Sequence, residues 1–213
     1  MKKRYTKREE IANGITHGIG IVFGIVALTI LLFLAIQNKN IPAIVSFSIY
    51  GLCIILMFTS STLYHSLTKE NIKKILRVFD HSSIFLFIAG TYTPVALLTL
   101  KGSLRIGILI GIWLIAIAGV IFKIFTFGKF DKYKALSLAI YIGMGWLAII
   151  PIRAIIRATS INFFYWILAG GLLYTLGTLF YSIKRIPYNH AIWHIFVLAA
   201  SITHFLGIVL YLP

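Results

Sequence analysis

Seven long runs without a charged side chain dominate the chain. Each is at least about 17 residues long, the lower limit for a membrane-spanning helix, and they lie at 11–38, 40–68, 81–100, 106–122, 135–152, 158–183 and 186–213. A helix of about 20 residues crosses a hydrocarbon core about 30 Å thick. None of the runs shows the strict two-residue alternation of a lipid-facing barrel strand. Because backbone polar groups must be satisfied internally in lipid, the pattern predicts seven transmembrane helices.

The predicted fold class is therefore all-α, a polytopic seven-helix bundle. We place the helices at about 14–36, 41–64, 80–100, 105–124, 135–156, 161–182 and 190–211, with residues 1–13 as a basic N-terminal segment and 14–213 as a single transmembrane domain. Pro94 and Pro151 are expected to kink the third and fifth helices. Residues 69–79 form a basic amphipathic stretch, which we interpret as a separate interfacial helix, so that Asp80 opens the third helix.

Composition excludes a water-soluble domain. Hydrophobic residues make up 60% of the 213 positions and charged residues 12%, against about 25% charged in soluble domains. The single cysteine, Cys53, cannot build a disulfide framework or a thiolate metal cluster. The net charge is +15, but the basic residues fall between the apolar runs rather than on one hydrophilic face. We therefore predict membrane lipids, and no nucleic acid, as partners.

The basic residues predict the orientation. With seven crossings, 15 Lys and Arg fall on the side of the N-terminus and 5 on the other side. Positive residues favour the cytoplasmic face, so the N-terminus is expected inside and the C-terminus outside. All five acids fall on the inner side as well: Glu9, Glu10, Glu70, Asp80 and Asp131. The predicted location is a cell membrane, specifically the cytoplasmic membrane of a bacterium. No oligomeric state is predicted.

Five of the six histidines lie near the predicted inner ends of the helices, and three of them suggest a metal site. His190 and His194 stand at i and i+4 on one helical face, and His65 ends the second helix. Three neutral histidines plus a water form a tetrahedral, catalytic type of Zn²⁺ site. Asp80 at the same depth could hold or deprotonate that water, with Ser61 as its neighbour or as a donor to the substrate.

Each residue also has a structural interpretation. A histidine in a membrane helix is often only an interhelical hydrogen-bond partner, and Asp80 could simply cap the third helix. We expect structural or packing roles for the other three histidines, His17, His81 and His204.

Five motifs resemble the hemolysin-III family, the bacterial relatives of the progestin and adipoQ (adiponectin) receptors. They occur in family order along essentially the whole chain: residues 10–20 (EIANGITHGIG), Ser61-xxx-His65, residues 79–83 (FDHSS), residues 90–94 (GTYTP) and His190-xxx-His194. The resemblance implies a seven-helix fold with a cytoplasmic N-terminus. It also implies a zinc ion near the cytoplasmic face.

In the receptors the zinc ligands match His65, His190 and His194 of this chain. The resemblance further implies that Asp80 holds a zinc-bound water and that Ser61 matches the motif serine. The receptor branch and the related alkaline ceramidases are linked to hydrolysis of ceramide amides.

Three functions follow as hypotheses. The first is a zinc-dependent membrane hydrolase of a lipid amide or ester, in which Asp80 is the general base. The second is a non-enzymatic sensor or regulator of the membrane with a structural zinc. The third is a haemolysin that forms pores, which the sequence favours least because polar residues gather at one end of the bundle. The sequence leaves open the natural lipid and the metal bound in cells.

Overall fold

The computed structural model describes residues 5–212, and within that range its regular secondary structure is helical, with no strand. The α-helices are α1 (Lys7–Gln37), α2 (Ile41–Ser66), α3 (Glu70–Thr99), α4 (Gly102–Phe125), α5 (Lys134–Trp146), α6 (Ile152–Ala158), α7 (Ile161–Ser182) and α8 (Asn189–Tyr211). The predicted all-α class is thus confirmed. Lys2, Lys3 and Arg4 of the predicted basic segment lie outside the described residues.

Six of these helices are long and apolar enough to cross a membrane: α1, α2, α3, α4, α7 and α8. The shorter α5 and α6 form a seventh span if they are counted together across a 51° bend. A short 3₁₀ turn (Leu147–Ile149) and Pro151 occupy this break. Proline lacks a backbone N–H and its ring clashes with the preceding turn, which explains the predicted bend. The protein is a multi-span membrane protein.

Two helices begin earlier than predicted. Helix α1 starts at Lys7 because Thr6 and Glu9 form a reciprocal capping box at its first turn. Helix α3 starts at Glu70 and includes residues 70–79, so the prediction of a separate interfacial helix is wrong. Asp80 consequently lies about three turns into α3. A buried acid in the middle of a helix cannot act as its N-cap, and that alternative is also wrong.

The helices pack largely in chain order, with α1 on α2, α2 on α3 and α3 on α4, while α8 contacts both α7 and α1. Small residues permit close approach in the α1–α2 pair. A Cβ atom on Gly20 would overlap the ring of Phe58, and one on Gly24 would come within 2.8 Å of the Ile54 side chain. This packing brings the start of α1, the end of α2, the first turns of α3 and the start of α8 to one end of the bundle, which we call the histidine end.

Candidate metal centre

Three buried imidazoles converge at the histidine end. His65 lies in the last turn of α2, and His190 and His194 lie in the first turns of α8. One nitrogen from each ring can be chosen so that all three lie within 4.8 Å of one another. The structure thus brings together the three histidines that the sequence predicted as ligands. Such a group could hold a metal ion.

The start of α8 is held in place by its neighbour α7. The Asn189 amide donates a hydrogen bond to the Phe180 carbonyl at 3.0 Å. Tyr188, at the N-cap, adopts a left-handed conformation with φ 56°, which turns the chain sharply into the helix. One turn of helix then separates His190 from His194, so both rings project toward the end of α2.

Glu10 determines the hydrogen position on His65. The Nδ1 atom of His65 lies 2.6 Å from Oε2 of Glu10, whose other oxygen accepts a hydrogen bond from Nζ of Lys73 at 2.8 Å. The Asn13 amide nitrogen lies 3.4 Å from the same Nδ1, but the contact with Glu10 is much shorter. Because an ionised carboxylate only accepts hydrogen bonds, we assign the hydrogen to Nδ1 of His65. The Nε2 atom therefore presents a lone pair to the centre, as in carboxylate–histidine–zinc arrangements.

His194 is oriented in the same way by α1. Its Nδ1 lies 3.2 Å from the carbonyl oxygen of Asn13 and 3.2 Å from the Thr16 hydroxyl. Because a carbonyl only accepts, Nδ1 of His194 donates and Nε2 keeps its lone pair. That Nε2 is buried and has no hydrogen-bond partner within residues 5–212. A buried lone pair without a partner is costly, and a metal ion would satisfy it.

The spacing of the ligand atoms also suits a metal. Nε2 of His65 lies 3.2 Å from Nε2 of His190. Two nitrogens that bind one tetrahedral zinc at about 2.0–2.1 Å stand about 3.3–3.4 Å apart. Without an ion, the two rings could instead share one hydrogen at this distance. The donor set of three imidazoles fits zinc well, although it does not select zinc uniquely.

Asp80 and Ser61 lie close to this group but outside it. Asp80 is buried on α3, with Oδ2 3.1 Å from Nδ1 of His81, and it lies within electrostatic range of His65 and His194. Ser61 lies one turn before His65 on α2. Its buried hydroxyl has no hydrogen-bond partner in the described part of the chain. Both side chains are therefore available to a water or a ligand at the centre.

The remaining histidines occupy different surroundings. The ring of His17 stacks on His194 with centroids 3.5 Å apart, and it meets Phe58 edge-on. His81 pairs with Asp80. His204 lies further along α8, where its Nε2 donates to the Ile167 carbonyl at 3.1 Å.

Helix α1 contributes residues around the metal centre that were not predicted from the sequence. Glu10, Asn13 and His17 are spaced i, i+3 and i+7, which places them on one helical face. The predicted first helix began at residue 14, so Glu10 and Asn13 lay outside it. Their shared helical face with His17 was therefore not recognised. Tyr5, just before the helix, stacks on His190 with ring centroids 5.0 Å apart. The helix spacing was the signal that could have identified Glu10 and Asn13.

A mostly apolar cavity lies in the bundle beside the metal centre. Its volume is about 130 Å³. Asp80 and His17 line its end nearest the metal centre, and His204 also lines it. The walls between them come from α2, α3, α5, α7 and α8 and include Met57, Phe87, Ile88, Tyr174 and Val197. This central cavity could accommodate an elongated apolar group that reaches Asp80.

Comparisons with known proteins match nearly the whole chain. The family described as "Haemolysin-III related" matches residues 5–205. The chain is 44% identical over 207 residues to the "Hemolysin-3 homolog" of Bacillus subtilis (strain 168), covering 97% of this chain and 96% of the relative. It is 44% identical over 204 residues to "Hemolysin-3" of Bacillus cereus, covering 96% and 92%. The human "Monocyte to macrophage differentiation factor" is 32% identical over 210 residues, covering 96% and 84%.

Proposed function

The chain belongs to the haemolysin-III family, and we propose that it is a zinc-dependent membrane hydrolase of a lipid amide or ester. One observation carries the proposal: a buried carboxylate, Asp80, lies within electrostatic range of His65 and His194 of the three-histidine group and also lines a mostly apolar cavity. We further propose that the histidine end faces the cytoplasm and that the protein resides in the cytoplasmic membrane of a bacterium. The 15 to 5 distribution of basic residues supports this orientation.

The metal would be held by His65, His190 and His194. A bound zinc supplies Lewis acidity, which polarises a carbonyl and lowers the pKa of a bound water to about 7. Glu10, through His65, and Asn13, through His194, hold two of the rings with their Nε2 lone pairs directed inward. Little reorganisation is then needed when the ion binds.

Asp80 would act as the general base and then as the general acid. It takes a proton from the attacking water, whose oxygen adds to the scissile carbonyl carbon. It then returns that proton to the leaving amine or alcohol as the C–N or C–O bond breaks, so that the products are a fatty acid and an amine or alcohol. Ser61, whose hydroxyl lacks a described partner, would donate a hydrogen bond to a substrate oxygen.

The central cavity would hold the acyl chain. Its walls are mostly apolar, so a hydrocarbon chain would be bound there without loss of polar contacts. Asp80 lines the same cavity, which would place the carbonyl at the end of such a chain near the proposed base.

A structural metal in a non-enzymatic sensor is the second candidate. The three histidines come from two helices, α2 and α8, and two of them hydrogen-bond to Glu10 and Asn13 of α1. This arrangement favours a structural role for the metal. An ion bound there would link three helices. We do not favour a pore, because the walls of the central cavity are mostly apolar.

The test is hydrolysis by purified, zinc-loaded protein on a bacterial lipid extract and a panel of ceramides and acyl esters. We expect release of fatty acid by the wild type and a loss of about 100-fold or more in Asp80→Asn with zinc content unchanged. Glu70→Gln, which removes an exposed acid from the same helix, is the matched control and should retain activity. A zinc-loaded wild type that releases no fatty acid from any of these lipids would favour the sensor.

A further inference from the structure

A second cavity, smaller and more polar than the central one, lies at the histidine end between α3, α4, α5 and α7. We call it the basic pocket and define it by Arg77, His81, Lys123, Lys134 and Ser137, which line it together with aromatic side chains. Three of these side chains are Lys or Arg, the carboxylate of Asp131 also lines the pocket, and none of its residues belongs to the three-histidine group.

Lys123 is the most unusual member of this pocket. It lies in the last turn of α4 and is only 1% exposed. Its Nζ donates to the Ser137 hydroxyl at 2.5 Å, and that hydroxyl in turn donates to the Tyr133 carbonyl at 2.9 Å. Within residues 5–212 no carboxylate oxygen lies within 4.0 Å of this Nζ. Asp80 lies within electrostatic range, but no carboxylate contacts this buried ammonium, so an anion in the pocket would be favoured.

Arg77 provides a second, independent indication. Its side chain is 10% exposed, and Nη2 donates to Asp131 at 2.8 Å. The Nε atom is buried and has no hydrogen-bond partner in the part of the chain that the structure describes. Asp131 is 74% exposed, so its charge is largely screened by water and balances the pocket poorly.

We propose that the basic pocket binds the phosphate group of an anionic ligand, either a lipid headgroup or inorganic phosphate. Arginine offers a planar set of donors that matches phosphate, and lysine adds a point charge. Basic pockets between transmembrane helices are typical sites for anionic headgroups. Leu138 and Tyr141 line both this pocket and the central cavity, so the two cavities are adjacent. This binding does not depend on hydrolysis.

The test measures ligand-induced stabilisation of the purified full-length protein in neutral detergent. Three probes are compared: inorganic phosphate, dioctanoyl phosphatidic acid, and dioctanoylglycerol, which has the same chains without phosphate. A ligand that binds only the folded state raises the Tm in a concentration-dependent way. Stabilisation by phosphate alone identifies a small-anion site, and stabilisation by phosphatidic acid but not by phosphate identifies a headgroup site that needs the chains.

Two variants assign the binding to the pocket. Lys123→Gln should weaken the apparent affinity for the active probe at least about tenfold, whereas Lys129→Gln removes an exposed charge from the neighbouring connection and should leave it unchanged. If Lys123→Gln does not fold, Lys134→Gln serves in its place. The proposal is overturned if dioctanoylglycerol stabilises as strongly as phosphatidic acid, if no phosphate probe stabilises the wild type, or if the pocket variant binds like the control.

Discussion

The Glu10→Gln substitution tests the inferred orientation of His65 most directly. The amide keeps the size of the side chain but loses the negative charge that accepts from Nδ1 of His65 at 2.6 Å and from Nζ of Lys73 at 2.8 Å. The His65 ring is then free to exchange the hydrogen between its two nitrogens, and its basicity as a ligand falls. Loss of a carboxylate that hydrogen-bonds to a metal-binding histidine typically lowers the metal affinity 10–100-fold, or by about 1.4–2.8 kcal/mol.

Competition with a chelator of known affinity measures this effect, with bound zinc determined by elemental analysis of the purified protein. Glu9→Gln is the matched control. The adjacent Glu9 carboxylate caps α1 at Thr6, and glutamine serves equally well in a capping box. We expect the control to retain wild-type affinity. Equal affinities in Glu10→Gln and Glu9→Gln would refute the argument that the carboxylate prepares His65 for the metal.

Three further predictions concern the ligands, the base and the helix packing. The His194→Ala protein should contain no zinc in elemental analysis, and unchanged zinc content would contradict the site. In a thermal melt at a metal concentration 100 times the wild-type Kd, it should lack the metal-dependent stabilisation of about 2.7 kcal/mol expected for the wild type. Asp80→Asn should still bind zinc in a chelator competition, since Asp80 lies outside the three-histidine group; loss of zinc would make it a direct ligand. Gly20→Ala should lower the free energy of unfolding by about 1–3 kcal/mol because its Cβ would overlap Phe58. Gly107→Ala, where no atom lies within 4 Å of the added Cβ, should be neutral or slightly stabilising in the same denaturation measurement.

Patterns within single helices allowed much of the fold and the central ligand set to be predicted. Residues i and i+4 share a helical face whatever surrounds the helix, so His190 and His194 were predictable as a pair, as were Ser61 and His65. The length of the apolar runs likewise predicted seven crossings, because membrane thickness is nearly constant; the structure has six such helices, or seven if α5 and α6 form one span.

The errors arose where charge was used as a marker of the membrane boundary. The predicted spans were built on charge-free runs, which placed the start of the third helix at Asp80. Asp80 is instead buried in the bundle beside His81, and α3 continues for about three turns before it. Glu10 was assigned to a segment outside the membrane for the same reason, although it contacts His65. An acid that pairs with a histidine need not face water, so charge alone does not locate a helix end.

Helix spacing places Glu10, Asn13 and His17 on one face of α1, but what that face contacts depends on packing. Helix α1 supplies none of the three ligands, yet its Glu10 and Asn13 hydrogen-bond to His65 and His194, and its His17 stacks on His194. Which face of α1 meets α2 is decided by close contacts such as that of Gly20 with Phe58, one to three turns further along the helix. A substitution that shifts this contact should therefore disturb the orientation of the ligand rings without touching them. Metal affinity and the packing of α1 are thus coupled, and Gly20→Ala should weaken zinc binding as well as stability.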